Sequence, residues 1–194
     1  MDCGNGADLG ASEDAGRAIT TKLYTKKGDA GKTSLFSGRR AEKFDPRVAA
    51  VGDIDELSAT LGLARVAYPP ANDLLRSIQR ALYVVSAIVS AEKRSIEVKF
   101  DAAEVEALEI EIDRLTAELP ELREFILPGD AEPSCRLHLA RAVARRAERG
   151  IAVLVEPAPP EAVSAYLNRL SDLLFVLARQ ADQSQGRKDE ALRA

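Results

Sequence analysis

Apolar residues recur along this chain at helical spacing. Asp45-Pro46 reads as a helix N-cap followed by proline at the first helical position. Val48, Val51, Ile54, Leu57, Leu61 and Leu63 then repeat on one face up to Ala67, and Pro69-Pro70 stops the run. A second, more apolar set (Leu74, Leu75, Ile78, Leu82, Val85, Ile88, Val89) predicts a helix from Ala71 to about Ser95. Asp101 should cap a third helix carrying Val105, Leu108, Ile112 and Leu115 up to Pro120, after which "FILPGD" predicts a turn. An arginine-rich fourth helix should span roughly 132–155, interrupted at "VEPAPPE". The fifth runs from about Pro160 to Asp182 on Tyr166, Leu167, Leu170, Leu173, Leu174, Val176 and Leu177. With no convincing strand alternation and no internal repeat, the pattern predicts an all-α fold, a five-helix antiparallel bundle with short connections.

Composition agrees with that class. Alanine, leucine, arginine and glutamate abound, tryptophan is absent, and aromatics make up 5% of the chain. At 194 residues one core suffices, burying roughly 70% of the unfolded surface. Residues 1–20 read as a disordered leader without signal-peptide features, 21–183 as the bundle domain, and 184–194 as a flexible tail that frays. A formal net charge of −4 argues against general nucleic-acid binding. No run approaches the roughly 20 apolar residues that span a bilayer, so no membrane association is expected. The two cysteines, Cys3 and Cys135, match no metal or redox spacing, which suggests free thiols and a cytoplasmic setting.

The stretch "KKGDAGKTS" (26–34) ends as a phosphate-binding P-loop ends. The full pattern needs a glycine five positions before Gly31, and Lys26 stands there. The polar segment before it is no buried strand, so the P-loop reading fails on spacing and context. What survives is a segment of small residues, hydroxyls and amines. A flexible, solvated loop is the plainer account of this stretch alone, and a polyanion site is the other.

On helix four, Arg141, Arg145, Glu148 and Arg149 follow i, i+4, i+7, i+8 spacing and share one face. Such a run is a solvated basic surface or a site for an acidic ligand. Helix five places Asn168, Asp172, Phe175 and Arg179 along one flank, and helix one carries Asp53, Asp55 and Glu56. Asp55 either pairs with an arginine or offsets the helix dipole. The single histidine, His138, suits packing better than catalysis. One histidine builds no Ser/His/Asp or Cys/His triad, and no cluster with metal-ligand spacing is visible, so the metal site is left unknown. Positive charge and flexible backbone suit a triphosphate, where catalysis is positioning and electrostatics.

Four segments in order, "LYTKKGDAGKTSLFSG", "DPRVAAVGDIDELSATLGLAR", "FILPGD…LHLARAVARRAER" and "YLNRLSDLLFVLAR", closely resemble the PduO-type ATP:cob(I)alamin adenosyltransferases over about residues 22–180. The resemblance implies a ferritin-like five-helix bundle with an N-terminal nucleotide-binding loop, assembled as a homotrimer with ATP and corrinoid between adjacent subunits. It implies transfer of the 5′-deoxyadenosyl group of ATP to cob(I)alamin, with Mg²⁺, giving adenosylcobalamin and triphosphate. A reductase and an adenosylcobalamin-dependent mutase are the partners it implies. By motif, Thr25, Lys26, Lys27, Gly28, Thr33, Ser34 and Lys43 fall on the ATP segment, where the family tolerates varied residues at the position of Lys32. Arg145, Arg146, Glu148, Arg149 and Asn168 fall on the helical ATP contacts. Asp55 and Arg141 match an intersubunit salt bridge, and Phe125 matches the aromatic residue beneath the corrin, which excludes the lower axial base. Two departures stand out: Lys27 replaces the usual threonine, and Asp130 the second glycine of the turn that presents Phe125, which could restrict that turn. A non-catalytic ATP- or corrinoid-binding chaperone or sensor is the alternative reading, and an inert bundle meeting an acidic partner a third.

Overall fold

The computed structural model describes residues 24, 26–91 and 99–192; the expected leader and Thr25 lie outside the described residues. Among the described residues, five helices form where the apolar repeats place them: α1 (Pro46–Ala67), α2 (Asn72–Ala91, its expected end near Ser95 lying outside the described residues), α3 (Ala102–Thr116), α4 (Glu132–Ala152) and α5 (Glu161–Ser184). Asp45 caps α1 by accepting from the Arg47 N–H, and that bond holds its carboxyl below the usual carboxylate range. Asp101 caps α3 in the same way through the Ala103 N–H. A single 3-10 turn, Pro69–Ala71, joins α1 to α2.

The helices lie side by side in the order α2, α1, α4, α5, α3. Directions follow from cross-links. Gln79 of α2 donates to the Ser58 carbonyl and Arg47 to that of Val89, so α1 and α2 run antiparallel. Asp53 meets Arg146, and a side chain at Gly150 would touch Ala50, which makes α1 and α4 antiparallel too. Asn168 meets Glu148 while Asp182 meets Ser134, giving the same relation for α4 and α5. Glu109 pairs with Arg169, and Glu118, just past α3, with Gln180. Helix α3 is therefore parallel to α5, a neighbour relation that helical periodicity cannot encode.

The core gathers Ile54, Leu57 and Leu61 of α1, Leu75, Ile78 and Leu82 of α2, Leu137 and Ile151 of α4, and Leu167, Leu170 and Leu173 of α5, all essentially inaccessible. Each such side chain contributes roughly 1.5–3 kcal/mol by leaving water. Val48 is only half-buried and Leu63 is exposed, because the buried stripe of α1 runs instead through Ala50, Ile54, Leu57, Leu61 and Ala64. Residues Pro69–Ala91 are long and apolar enough, by length and composition, to cross a membrane, contrary to the sequence expectation. In the fold they are amphipathic, with Leu75, Ile78, Leu82, Val85 and Val89 inside and Asp73, Arg76 and Arg80 outside.

Two elements were not expected. The glycine-rich segment forms an antiparallel hairpin, β1 (Lys32–Ser34) with β2 (Arg40–Glu42), pairing Lys32 with Glu42, Thr33 with Ala41 and Ser34 with Arg40. At three residues per strand, alternation is too short to read from the sequence. The segment after α5, read from the sequence as a fraying tail, turns back at Gly186 and runs along residues 125–127, with Ile126 and Ala191 in an antiparallel bridge.

Candidate active site

The hairpin is built around turns that few residues tolerate. Lys26 has φ +57°, Gly31 +79° and Gly38 +85°. Arg40 holds the turn together: its Nη2 donates to the Lys27 carbonyl at 2.6 Å and its Nη1 to Ser34 Oγ at 3.4 Å. The Lys43 N–H donates to the Gly31 carbonyl at 2.8 Å, and a methyl at Gly28 would lie 3.9 Å from Lys43 Nζ. Gly28, half-buried, and exposed Lys43 therefore meet beyond the Lys32–Glu42 end of the ladder, while Ser34 stands with Arg40 at the other end; Lys26, Lys27 and Ser34 are exposed and Thr33 is half-buried on β1. The Lys32 side chain is paired across the strands, 3.0 Å from Glu42. Arg40 was not singled out from the sequence, where it is one of two arginines in a polar run; only the register of β1 on β2 brings it against Ser34.

The second group lies on α4 and α5. Arg145 and Arg149 are exposed and Arg141 is half-buried on the same face of α4, as their spacing requires. Glu148 accepts from Asn168 Nδ2 at 3.0 Å, which joins the polar flank of α5 to the arginine face. Arg146 points the other way, to α1, where it pairs with Asp53 at 3.3 Å and with Glu56. Within one chain Arg146 therefore stands apart from the other arginines, because one position along a helix is a rotation of about 100°.

A cleft of about 370 Å³ between α4, α5 and the loop before α4 is lined by Phe125, His138, Arg141, Arg145, Asp172 and Phe175, among others. It brings two expected arginines against the expected aromatic residue, Phe125, whose side chain is 85% exposed. Asp172 and Phe175, noted only as a flank of α5, belong to its wall. His138 is 6% exposed, its ring lies edge-on to Phe175 with centroids 5.9 Å apart, and neither ring nitrogen has a hydrogen-bond partner. Burial, reinforced by the charge of Arg141, lowers its pKa, so the imidazole is neutral at pH 7.

Asp130 does not distort the turn below this cleft. The left-handed position is Gly129, at φ +85°, whereas Asp130 has negative φ and lies 3.7 Å from Arg187. Gly129 is needed twice over, since a Cβ there would fall 2.6 Å from Cys135 Sγ.

Two relations are missing from the single chain. Among the described residues, Asp55, exposed on α1, makes no ion pair, and neither does Arg141. Among the described residues, none of the hairpin's candidates hydrogen-bonds to α4 or α5. Among the described residues, no three His, Cys, Asp or Glu side chains converge as a metal site.

The fold thus combines a helical bundle with a basic helix face, an aromatic-walled cleft and a lysine-rich hairpin. Residues 23–181 match the cobalamin adenosyltransferase family, and the chain belongs to that family. It is 44% identical over 166 residues to the corrinoid adenosyltransferase PduO of Salmonella typhimurium, covering 82% of this chain and 49% of that protein. The chain thus spans about half the length of the PduO relatives it matches. The corrinoid adenosyltransferase of Bacillus subtilis is 41% identical, covering 85% of this chain and 89% of that one. Among solved structures, a variant PduO-type ATP:corrinoid adenosyltransferase from Lactobacillus reuteri, complexed with cobalamin and ATP, superposes with a TM-score of 0.83 at 34% identity, covering 89% of this chain and all of the other.

Proposed function

We propose that this protein transfers the 5′-deoxyadenosyl group of ATP to the cobalt of cob(I)alamin, releasing triphosphate. The observation that carries the reading is the shared cleft, in which Arg141 and Arg145 stand beside Phe125 and Phe175. Cationic side chains there suit a polyphosphate leaving group, and a flat aromatic wall suits the face of a corrin. Cob(I)alamin is already a strong nucleophile, so no general base is required, in keeping with a neutral, buried His138. The protein's contribution is alignment of C5′ with cobalt and stabilisation of charge on the departing triphosphate. Phe125 shields the lower face of the corrin from an axial base.

Arg145, Arg149, Glu148 and Asn168 form the helical part of the nucleotide site, and Lys26, Lys27, Gly28, Thr33, Ser34 and Lys43, together with Thr25, form its hairpin part. Mg²⁺ would enter on the triphosphate, consistent with an ion that needs only one or two carboxylates besides phosphate oxygens. Asp55 and Arg141, which make no ion pair among the described residues, and the separation of hairpin from arginine face support a homotrimer in which neighbouring chains complete each site.

The test is an anaerobic assay of reduced cobalamin with Mg-ATP, following the loss of the cob(I)alamin spectrum and triphosphate release. Well-folded protein that forms no adenosylcobalamin would refute the reading. Arg145→Ala should lower turnover about a hundredfold, the scale of one lost transition-state donor. Its circular dichroism should not change, because Arg145 is exposed and contributes no core volume.

A further inference from the structure

The loop that carries Phe125 runs from the end of α3 to Ala131 without helix or sheet of its own, so its position depends on groups outside it. Among the described residues its backbone is held at three points. The Ala131 N–H donates to Asp182 at 2.9 Å, which fixes the far end. At the near end, the Pro120 carbonyl accepts from Arg179 Nη2 at 2.7 Å. The middle is held by the C-terminal strap: Leu127 N–H donates to the Glu190 carbonyl at 2.8 Å, and Leu192 N–H to the carbonyl of Phe125 itself at 2.7 Å.

Arg179 joins the last two points. Its guanidinium, 4% exposed on α5, holds the Pro120 carbonyl and also grips Asp189 of the strap, with Nη2 2.7 Å and Nε 3.0 Å from Oδ2. A second ion pair, Arg187 with Asp130, ties the strap to the loop at 3.7 Å. Between strap, loop and α5 lies a cavity of about 650 Å³, walled by Leu119, Leu122, Ile126, Arg179 and Ala191 among others. Close packing therefore does not fix this loop, and hydrogen bonds and charges carry the task. A guanidinium bound to both a carbonyl and a carboxylate is a strong, directional clamp.

We propose that Arg179 is a positioning residue for Phe125: through Asp189 it anchors the C-terminal strap, and the strap sets the height of Phe125 at the mouth of the cleft. The consequence for turnover rests on the proposed contact of Phe125 with the corrin. The mechanical part, that the Arg179–Asp189 clamp orders residues 125–127, stands without it.

Asp189→Asn in the full chain weakens the clamp without touching the core. Amide exchange at Leu127 and Leu192 should accelerate about tenfold, the ratio carried by one charge-assisted hydrogen bond, and Asp189→Glu should restore it. The KM for cobalamin should rise, and the fraction of bound cob(II)alamin lacking a lower axial base should fall, while the KM for ATP stays unchanged. Unchanged amide exchange overturns the clamp. Faster exchange with unchanged corrinoid parameters overturns the positioning role. So does an equal rise in both KM values, which is what general loosening would give. Phe125→Ala serves as the control on the underlying reading. If it leaves corrinoid turnover unaltered, the contact of Phe125 with the corrin is wrong, and the exchange data alone decide the clamp.

Discussion

Lys32 and Glu42 face one another across the hairpin in register, with Nζ and Oε1 3.0 Å apart. The lysine that makes the segment look like a P-loop is thus committed to its own sheet. Lys32→Ala should leave ATP affinity within about twofold, since an exposed pair is worth about 0–1 kcal/mol. Arg40→Ala should weaken it more, because the bond from Arg40 to the Lys27 carbonyl shapes the turn. Calorimetric titration with Mg-ATP separates the two, and a larger loss at Lys32 than at Arg40 would return Lys32 to the phosphate.

Gly129→Ala combines two penalties, a left-handed backbone and a Cβ placed 2.6 Å from Cys135 Sγ. Together they should cost about 2–3 kcal/mol in urea unfolding. A loss below about 0.5 kcal/mol would show that the start of α4 yields more readily than its packing suggests.

Asp182 anchors the start of α4, whose N-cap Ala131 has no capping side chain. Its carboxylate, buried at the end of α5, accepts from Ala131 N–H at 2.9 Å and Ser134 Oγ at 2.6 Å. Asp182→Ala should destabilise the fold by about 2–4 kcal/mol, because two donors are left buried without a partner. Adding Ser134→Ala should cost less than the sum of the single changes, since one orphan is then removed. Strict additivity in denaturation midpoints would contradict the shared network.

His138 gives stability a pH dependence of defined sign. Its folded pKa lies below the ordinary value of 6.5, so as pH falls past that value the unfolded chain takes up a proton before the native one does. The native state then binds fewer protons and loses stability relative to the unfolded. Wild-type protein should therefore lose more stability than His138→Phe between pH 7.5 and pH 5.5, in urea titrations at both. Equal losses would mean that His138 gains a partner when protonated.

The helices were legible because each apolar repeat is local. Leu75, Ile78 and Leu82 mark the inner face of α2 whatever they pack against, and Asp45, Pro46 and Pro69 punctuate the chain by backbone chemistry alone. The site was legible only in pieces. The spacing of Arg141, Arg145 and Arg149 put them on one face, but equal regularity gave no warning that Arg146 turns to Asp53 and Glu56. Asp172 and Phe175 became wall residues only when α5 was laid against α4.

By itself the sequence determined the five helices, the caps Asp45 and Asp101, the arginine face and the failure of the P-loop pattern, all of which depend on neighbours within a few residues. Tertiary structure alone decided that α3 runs parallel to α5, that Arg40 rather than Lys32 organises the hairpin, and that Arg179 reaches Pro120 and Asp189 at once. Those relations join residues distant in sequence, where side-chain type says which groups can pair and only chain topology says which do.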